Sequence, residues 1–156
     1  NALYKSFRLD EPWDSPHNKP LAALMPAAYR NPNMSPTVPN TNYLAVVDPG
    51  TLFGSSAPKK FSNIVDGTSN TVIVVEANID SPVPWTKPID LNIDNNDPLA
   101  GVRKMRPGIF LTLFADGSVQ TIPLTIDSRV WKALTTTGGR EPVTRGPNGS
   151  WRLGGQ

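Results

Sequence analysis

The sequence predicts an α+β fold: an antiparallel sheet of about four strands, a few short helices and long Pro-rich loops. Three observations carry it. The stretch "RPGIFLTLFADGSVQTI", residues 106–122, sets an Asp-Gly pair between two apolar runs, the strongest short signal for a β-hairpin. Thr71-Val72-Ile73-Val74-Val75 is an unbroken β-branched run, which favours a strand. "SRVWKALTT" spaces Val130, Trp131 and Leu134 along one helical face behind Asp127, a residue suited to cap a helix. The 17 Pro and 12 Gly in 156 residues agree, because they favour short strands and ordered loops over a helical bundle.

From the N-terminus, residues 2–7 read as the end of a helix, with Leu3, Tyr4 and Phe7 on one side. Asn1 is therefore expected to follow a longer segment rather than to start the protein. Pro12 breaks that helix. Ser15 is placed to cap a second one running to about Met25, with Pro16 at its first position. Residues 29–42 hold three prolines and read as an extended loop without a ladder. Residues 43–48 read as a strand. Asp66-Gly67 makes a turn, in which Ser69, Asn70 and Thr71 hold backbone groups.

Residues 71–77 follow as a strand buried on both faces. Glu76 closes that strand and, if buried, needs Lys87, Arg103 or Arg106 as a partner. Residues 81–101 form an irregular connection. Strands 109–115 and 118–122 flank Asp116-Gly117, expected to be a type I′ turn. Phe110, Thr112 and Phe114 share one face of the first strand, and the opposite face is also apolar, so this strand is central. The helix after Asp127 ends at Gly138-Gly139. Residues 1–139 read as one head domain and 140–156 as an extended tail ordered by a partner.

Composition excludes several classes of function. Net charge is +2 with no basic run, so nothing points to nucleic acid. Cys is absent, which removes disulfides, Cys-based zinc and a Cys nucleophile. His17 is alone and no Gly-x-Ser-x-Gly elbow occurs, so the sequence offers no hydrolytic triad.

"LDEPWDSPHNK", "TNYLAVV", "DGTSNTVIVVEAN", "VPWTKP", "PLAG" and "RPGIFLTLFADGSV" together resemble a family of prepilin-like proteins abundant in planctomycetes and catalogued as a domain of unknown function. Its members resemble type IV pilins and type II secretion pseudopilins. The resemblance covers residues 3–139. It implies a pilin-like head, with an anchor helix upstream as the sole link to a membrane. It also implies self-association or a larger protein assembly, at the cell envelope or extracellular surface, with no enzymatic activity. The family often carries a His, nine residues, then Asp-Gly. Here Arg106 stands at the His position, so no role of that His transfers.

Asp90, Asp94 and Asp97 lie among asparagines and could bind calcium through hard oxygen ligands, although such loops are more often plain turns. No other cofactor is expected. Trp13, Trp85 and Trp151 are candidates for a ligand or interface surface; Trp13 and Trp85 would serve a surface glycan if their rings are exposed and adjacent. The expected role is a non-enzymatic structural or interaction protein. The alternatives are a glycan-binding or other ligand-binding module, or an adaptor in a larger complex.

Overall fold

In the computed structural model, residues 2–35 and 37–154 are described, and the fold is α+β. Helix α1 (Ala2–Ser6) opens the chain, followed by β1 (Asn40–Thr41), β2 (Tyr43–Val47), β3 (Val72–Glu76), β4 (Val83–Pro84) and β5 (Leu91–Asn92). Then come β6 (Ile109–Phe114), β7 (Val119–Pro123), α2 (Ser128–Thr135), β8 (Val143–Arg145) and β9 (Trp151–Leu153). The main sheet has the order β5-β2-β3-β6-β7. Strands β2, β3, β6 and β7 pair antiparallel, but the sheet has five strands and is mixed, rather than the antiparallel sheet of about four expected. A fifth, β5, adds in parallel to β2, so the connection 81–101 is less irregular than expected. Its Leu91 and Asn92 lack the length of a recognisable strand pattern.

The core lies between one sheet face and α2. Leu44, Val46, Val72, Val75, Phe110, Phe114 and Ile122 meet Val130, Trp131 and Leu134. The alternation of β6 delivers Phe110, Thr112 and Phe114 inward, as its period-2 pattern requires. Trp131 is fully buried, meets Phe110 edge to face at 5.1 Å, and donates its indole N–H to the Pro98 carbonyl at 2.9 Å. Each such large apolar side chain contributes about 1.5–3 kcal/mol on burial. Asp127 starts α2 as expected: its carboxylate accepts the Arg129 backbone N–H at 2.7 Å. The Arg129 guanidinium first, and that backbone bond second, hold the Asp127 pKa down to about 2.

Several expectations are corrected. The Ser15-capped helix is instead a 3-10 segment, Lys19–Leu24, preceded by Asn18. Ser15 still accepts the Asn18 backbone N–H, at 3.0 Å. Pro20 would fall inside such a helix, where it lacks the N–H for a bond four residues back, so an α-helical ladder could not close there. The Asp116-Gly117 turn is not type I′. Only Gly117 takes positive φ, +86°, and the loop is the three-residue kind closed by Gly117 N–H to Phe114 C=O at 2.9 Å. β3 is buried along the α2 side, and on its other face only Glu76 is buried. A register shift between Val72 and Val74 turns both Ile73 and Val74 toward the other face, where they are half-exposed.

The extended tail is also corrected. β8 and β9 form a hairpin that joins the core: Val143 is buried and Trp151 stacks on Phe114 at 5.4 Å. The short strands flank the turn 146–150, too brief for a periodic signal. Deleting residues 141–156 is expected to lower stability in urea by about 2–4 kcal/mol, from lost apolar burial and one aromatic pair. A loss below about 0.5 kcal/mol, the scale of ordinary surface changes, would show the hairpin to be a passive appendage.

Candidate interaction surface

The surface is organised by one buried carboxylate. Among the described residues Glu76 is the only charged residue that is buried, at 1% exposure. Of the three cations the sequence offers, Arg106 pairs with it. The guanidinium grips both oxygens, Nε to Oε2 at 2.6 Å and Nη2 to Oε1 at 2.9 Å. Asn31 donates to Oε1 at 2.7 Å and to Asn42 Oδ1 at 3.0 Å. Asn42 in turn donates to the Ala77 carbonyl at 2.7 Å. Tyr43 sits opposite Glu76 in the β2–β3 ladder. Burial first, and the Glu76 charge second, push the Tyr43 phenol above its usual pKa. The hydrogen bond to Glu76 raises the Arg106 pKa further. Arg106 thus serves the interior.

Glu76 follows the inward Val75, so it lies on the sheet face away from α2. Its network brings the chain around residues 26–42 over one end of that face. Beyond this cover the face is apolar and open. Tyr43, Val74, Leu111, Leu113 and Val119 line a shallow groove of about 420 Å³ with Tyr29 at its edge. Val119 is 63% exposed. The neighbouring Ile73 lines a second groove with Phe53 and Phe61, and Phe61 is 71% exposed. The apolar surface therefore continues along the sheet.

Tyr29 also borders a third groove, of about 760 Å³, which brings Trp13 and Trp85 together. Both rings are half-buried. Trp85 is fixed on three sides: Tyr29 stacks on it at 5.3 Å, Phe7 meets it edge-on at 6.0 Å, and its indole N–H binds the Ala22 carbonyl at 2.7 Å. The Lys87 ammonium lies 5.8 Å from the Trp13 ring centre. Tyr4 and Tyr29, which the sequence reading did not single out, complete the aromatic lining. Their signal was present only as lone aromatics beside Pro-rich segments. Trp151 lies apart, against Phe114, and belongs to the core edge rather than to this surface. Its indole N–H and the Thr86 hydroxyl in the groove wall are buried with no partner among the described residues.

The acidic loop is not drawn into one site. Asp94 accepts the Asn96 backbone N–H at 2.8 Å, and Asp97 is paired with Arg103. Asp90 is exposed. Among the described residues no group of three or more His, Cys, Asp or Glu is placed to hold a metal ion. His17 is exposed and its Nε2 lies 2.9 Å from the Ser6 carbonyl. Asp116 holds the Ser118 backbone N–H at 2.8 Å; the Ser118 side chain first, and this bond second, lower its pKa.

Asp66 does more than turn the chain. It accepts the backbone N–H of Arg140 at 2.7 Å and of Gly139 at 2.9 Å, where Arg140 takes a left-handed φ of +61°. The carboxylate so fastens the exit of α2 to the approach of β3. Beside it, Gly67 takes φ of +91°, and Asn70 and Thr71 bond back to the Asp66 and Gly67 carbonyls.

Residues 25–92 match the model of a family described as "Protein of unknown function (DUF1559)". The chain is similar to that family from just after the 3-10 segment Lys19–Leu24 through β5, which includes Asn31, Asn42, Glu76 and Trp85. The match ends before Arg106 and Asp116-Gly117. No curated protein and no solved structure matches the chain.

Replacing Asp66 by Ala is expected to cost about 1–3 kcal/mol, the scale of leaving such donors without their acceptor. Amide exchange should quicken first at Gly139 and Arg140. Unchanged exchange at those two amides would contradict the fastening role.

Proposed function

We propose that this chain is a non-enzymatic, pilin-like interaction subunit of a cell-envelope or extracellular surface assembly, and that it packs against a second copy through the open face of its sheet. One observation carries the reading. The face away from α2 presents Tyr43, Val74, Leu111, Leu113 and Val119 to solvent, continuous with Ile73, Phe53 and Phe61. Contiguous apolar surface of this kind marks contact sites in proteins, because leaving it wet is costly. The resemblance to prepilin-like heads supports the same reading. No helix among the described residues is long and apolar enough to cross a membrane.

The test is sedimentation of the protein across a wide concentration range, with Val119→Glu beside it. Val119 is exposed, so the charge enters the surface without entering the core. The expected result is reversible self-association that weakens at least tenfold in the variant. A wild-type protein that stays monomeric at the highest concentration, or a variant that associates equally well, contradicts the proposal.

A further inference from the structure

Strand β7 is an outer edge of the main sheet, and no strand among the described residues pairs with its free side. Which backbone groups lie on that side follows from the ladder. β6 and β7 pair as Leu113↔Val119, Thr112↔Gln120 and Leu111↔Thr121. The Phe114 N–H bonds the Ser118 carbonyl at 2.9 Å, and the Leu124 N–H bonds the Gly108 carbonyl at 2.8 Å. Antiparallel partners alternate between bonded and non-bonded pairs. The even-numbered residues of β7 therefore turn their N–H and C=O groups to β6, and Val119 and Thr121 turn theirs outward. Both of these residues are exposed.

An open edge is a template for another strand, and proteins that keep one solitary guard it with charge, Pro or a bulge. Residues 117–126 carry no charge, and the β6–β7 register runs without a shift. The one guard is Pro123, at the strand's end. The opposite edge of the sheet, β5, is only two residues long.

The two ends of β7 select what can pair with it. Beyond Thr121, Pro123 has no N–H, and its carbonyl already accepts from Ile126 at 3.0 Å. Beyond Val119, the Gly117 N–H is already used on the Phe114 carbonyl at 2.9 Å. A foreign strand that ran on past Thr121 would leave its own backbone groups unmet opposite Pro123, which is costly. A second β7, antiparallel and centred on Gln120, avoids this. It sets Val119 of one copy against Thr121 of the other, so that each outward N–H meets an outward C=O. Gly117 of one copy then faces Pro123 of the other, a used donor against a residue that has none, and the ladder stops at both ends with no N–H stranded. Val119 and Thr121 are both β-branched, which suits a cross-strand pair.

We infer that the β7 edge joins two copies of this chain into one continuous sheet, by antiparallel self-pairing about a twofold axis at Gln120. This contact is distinct from the packing of the open face and does not require it. The open faces of the two copies come to lie side by side, so an edge contact and a face contact together link more than two copies.

The chain has no Cys, so Gln120→Cys supplies a single thiol. Opposite residues at a non-bonded antiparallel position lie about 4.5 Å apart at Cα, within the range of about 4.4–6.8 Å that a disulfide spans. The experiment follows disulfide-linked dimer under mild oxidation, with Asn148→Cys in the exposed turn 146–150 as the comparison. The expected result is cross-linking at least tenfold faster in Gln120→Cys. Adding Thr121→Pro removes an outward N–H and no bond to β6, and in a variant that circular dichroism shows to be folded it should slow cross-linking to the Asn148→Cys rate. Gln120→Cys that links no faster than Asn148→Cys overturns the proposal, as does undiminished linking in the folded Thr121→Pro variant. Self-association in sedimentation without preferential linking at residue 120 overturns the edge contact and leaves the face contact standing.

Discussion

A carboxylate that cannot reach water sets the terms for much of this fold. Glu76 sits at the end of the most β-prone strand in the chain and is buried as a charge. A buried charge is tolerated only when it is paired and its lone pairs are filled. Those demands are met by residues from distant parts of the sequence: Arg106 from the approach to β6 and Asn31 from the Pro-rich loop. Asn31 in turn engages Asn42 beside β2, and Asn42 holds the Ala77 carbonyl. One side chain thereby ties the N-terminal third to the sheet. Hydrophobic burial alone would not fix where that third lies, because apolar contacts have little direction. The network does, and it leaves one end of the sheet face covered and the rest open.

The division of the sheet into two faces follows from the same logic. The face under α2 is dry and dominated by Trp131, Phe110, Phe114 and Leu134. The opposite face owes its apolar residues to strands that read as central, yet it is covered only where the Glu76 network pulls the chain across. The bulge in β3 increases the imbalance by turning Ile73 and Val74 outward together. A strand pattern that would suit burial on both sides is thus left half-exposed, and the exposed half adjoins the aromatic groove through Tyr29.

Much of the fold was legible because its signals are local. Asp127 with Val130, Trp131 and Leu134 specifies a capped amphipathic helix in nine residues. Asp116-Gly117 specifies a hairpin, and the Thr71–Val75 run a strand. The errors arose where structure depends on partners far away. The β8–β9 hairpin is ordered by Phe114 and the core, which its own residues do not reveal. β5 is a strand only because β2 offers an edge. The type of the 116–117 turn depended on φ at Asp116, which residue identity leaves open. At the surface, the need of Glu76 for a cation was readable and Arg106 was among the candidates, but Asn31 and Asn42 look like ordinary loop asparagines. Trp13 and Trp85 were readable as candidates; their meeting in one groove was a property of the tertiary fold.

The most direct test is a stability comparison of Arg106→Met with the double variant Arg106→Met/Glu76→Gln, by urea unfolding. Removing the guanidinium alone strands a buried carboxylate and should cost about 3–5 kcal/mol. Adding Glu76→Gln removes the stranded charge, so the double variant should be more stable than the single one, a coupling that only interacting residues show. A single variant within about 0.5 kcal/mol of the parent, the range of unremarkable surface changes, would contradict the account. So would a double variant no more stable than the single one.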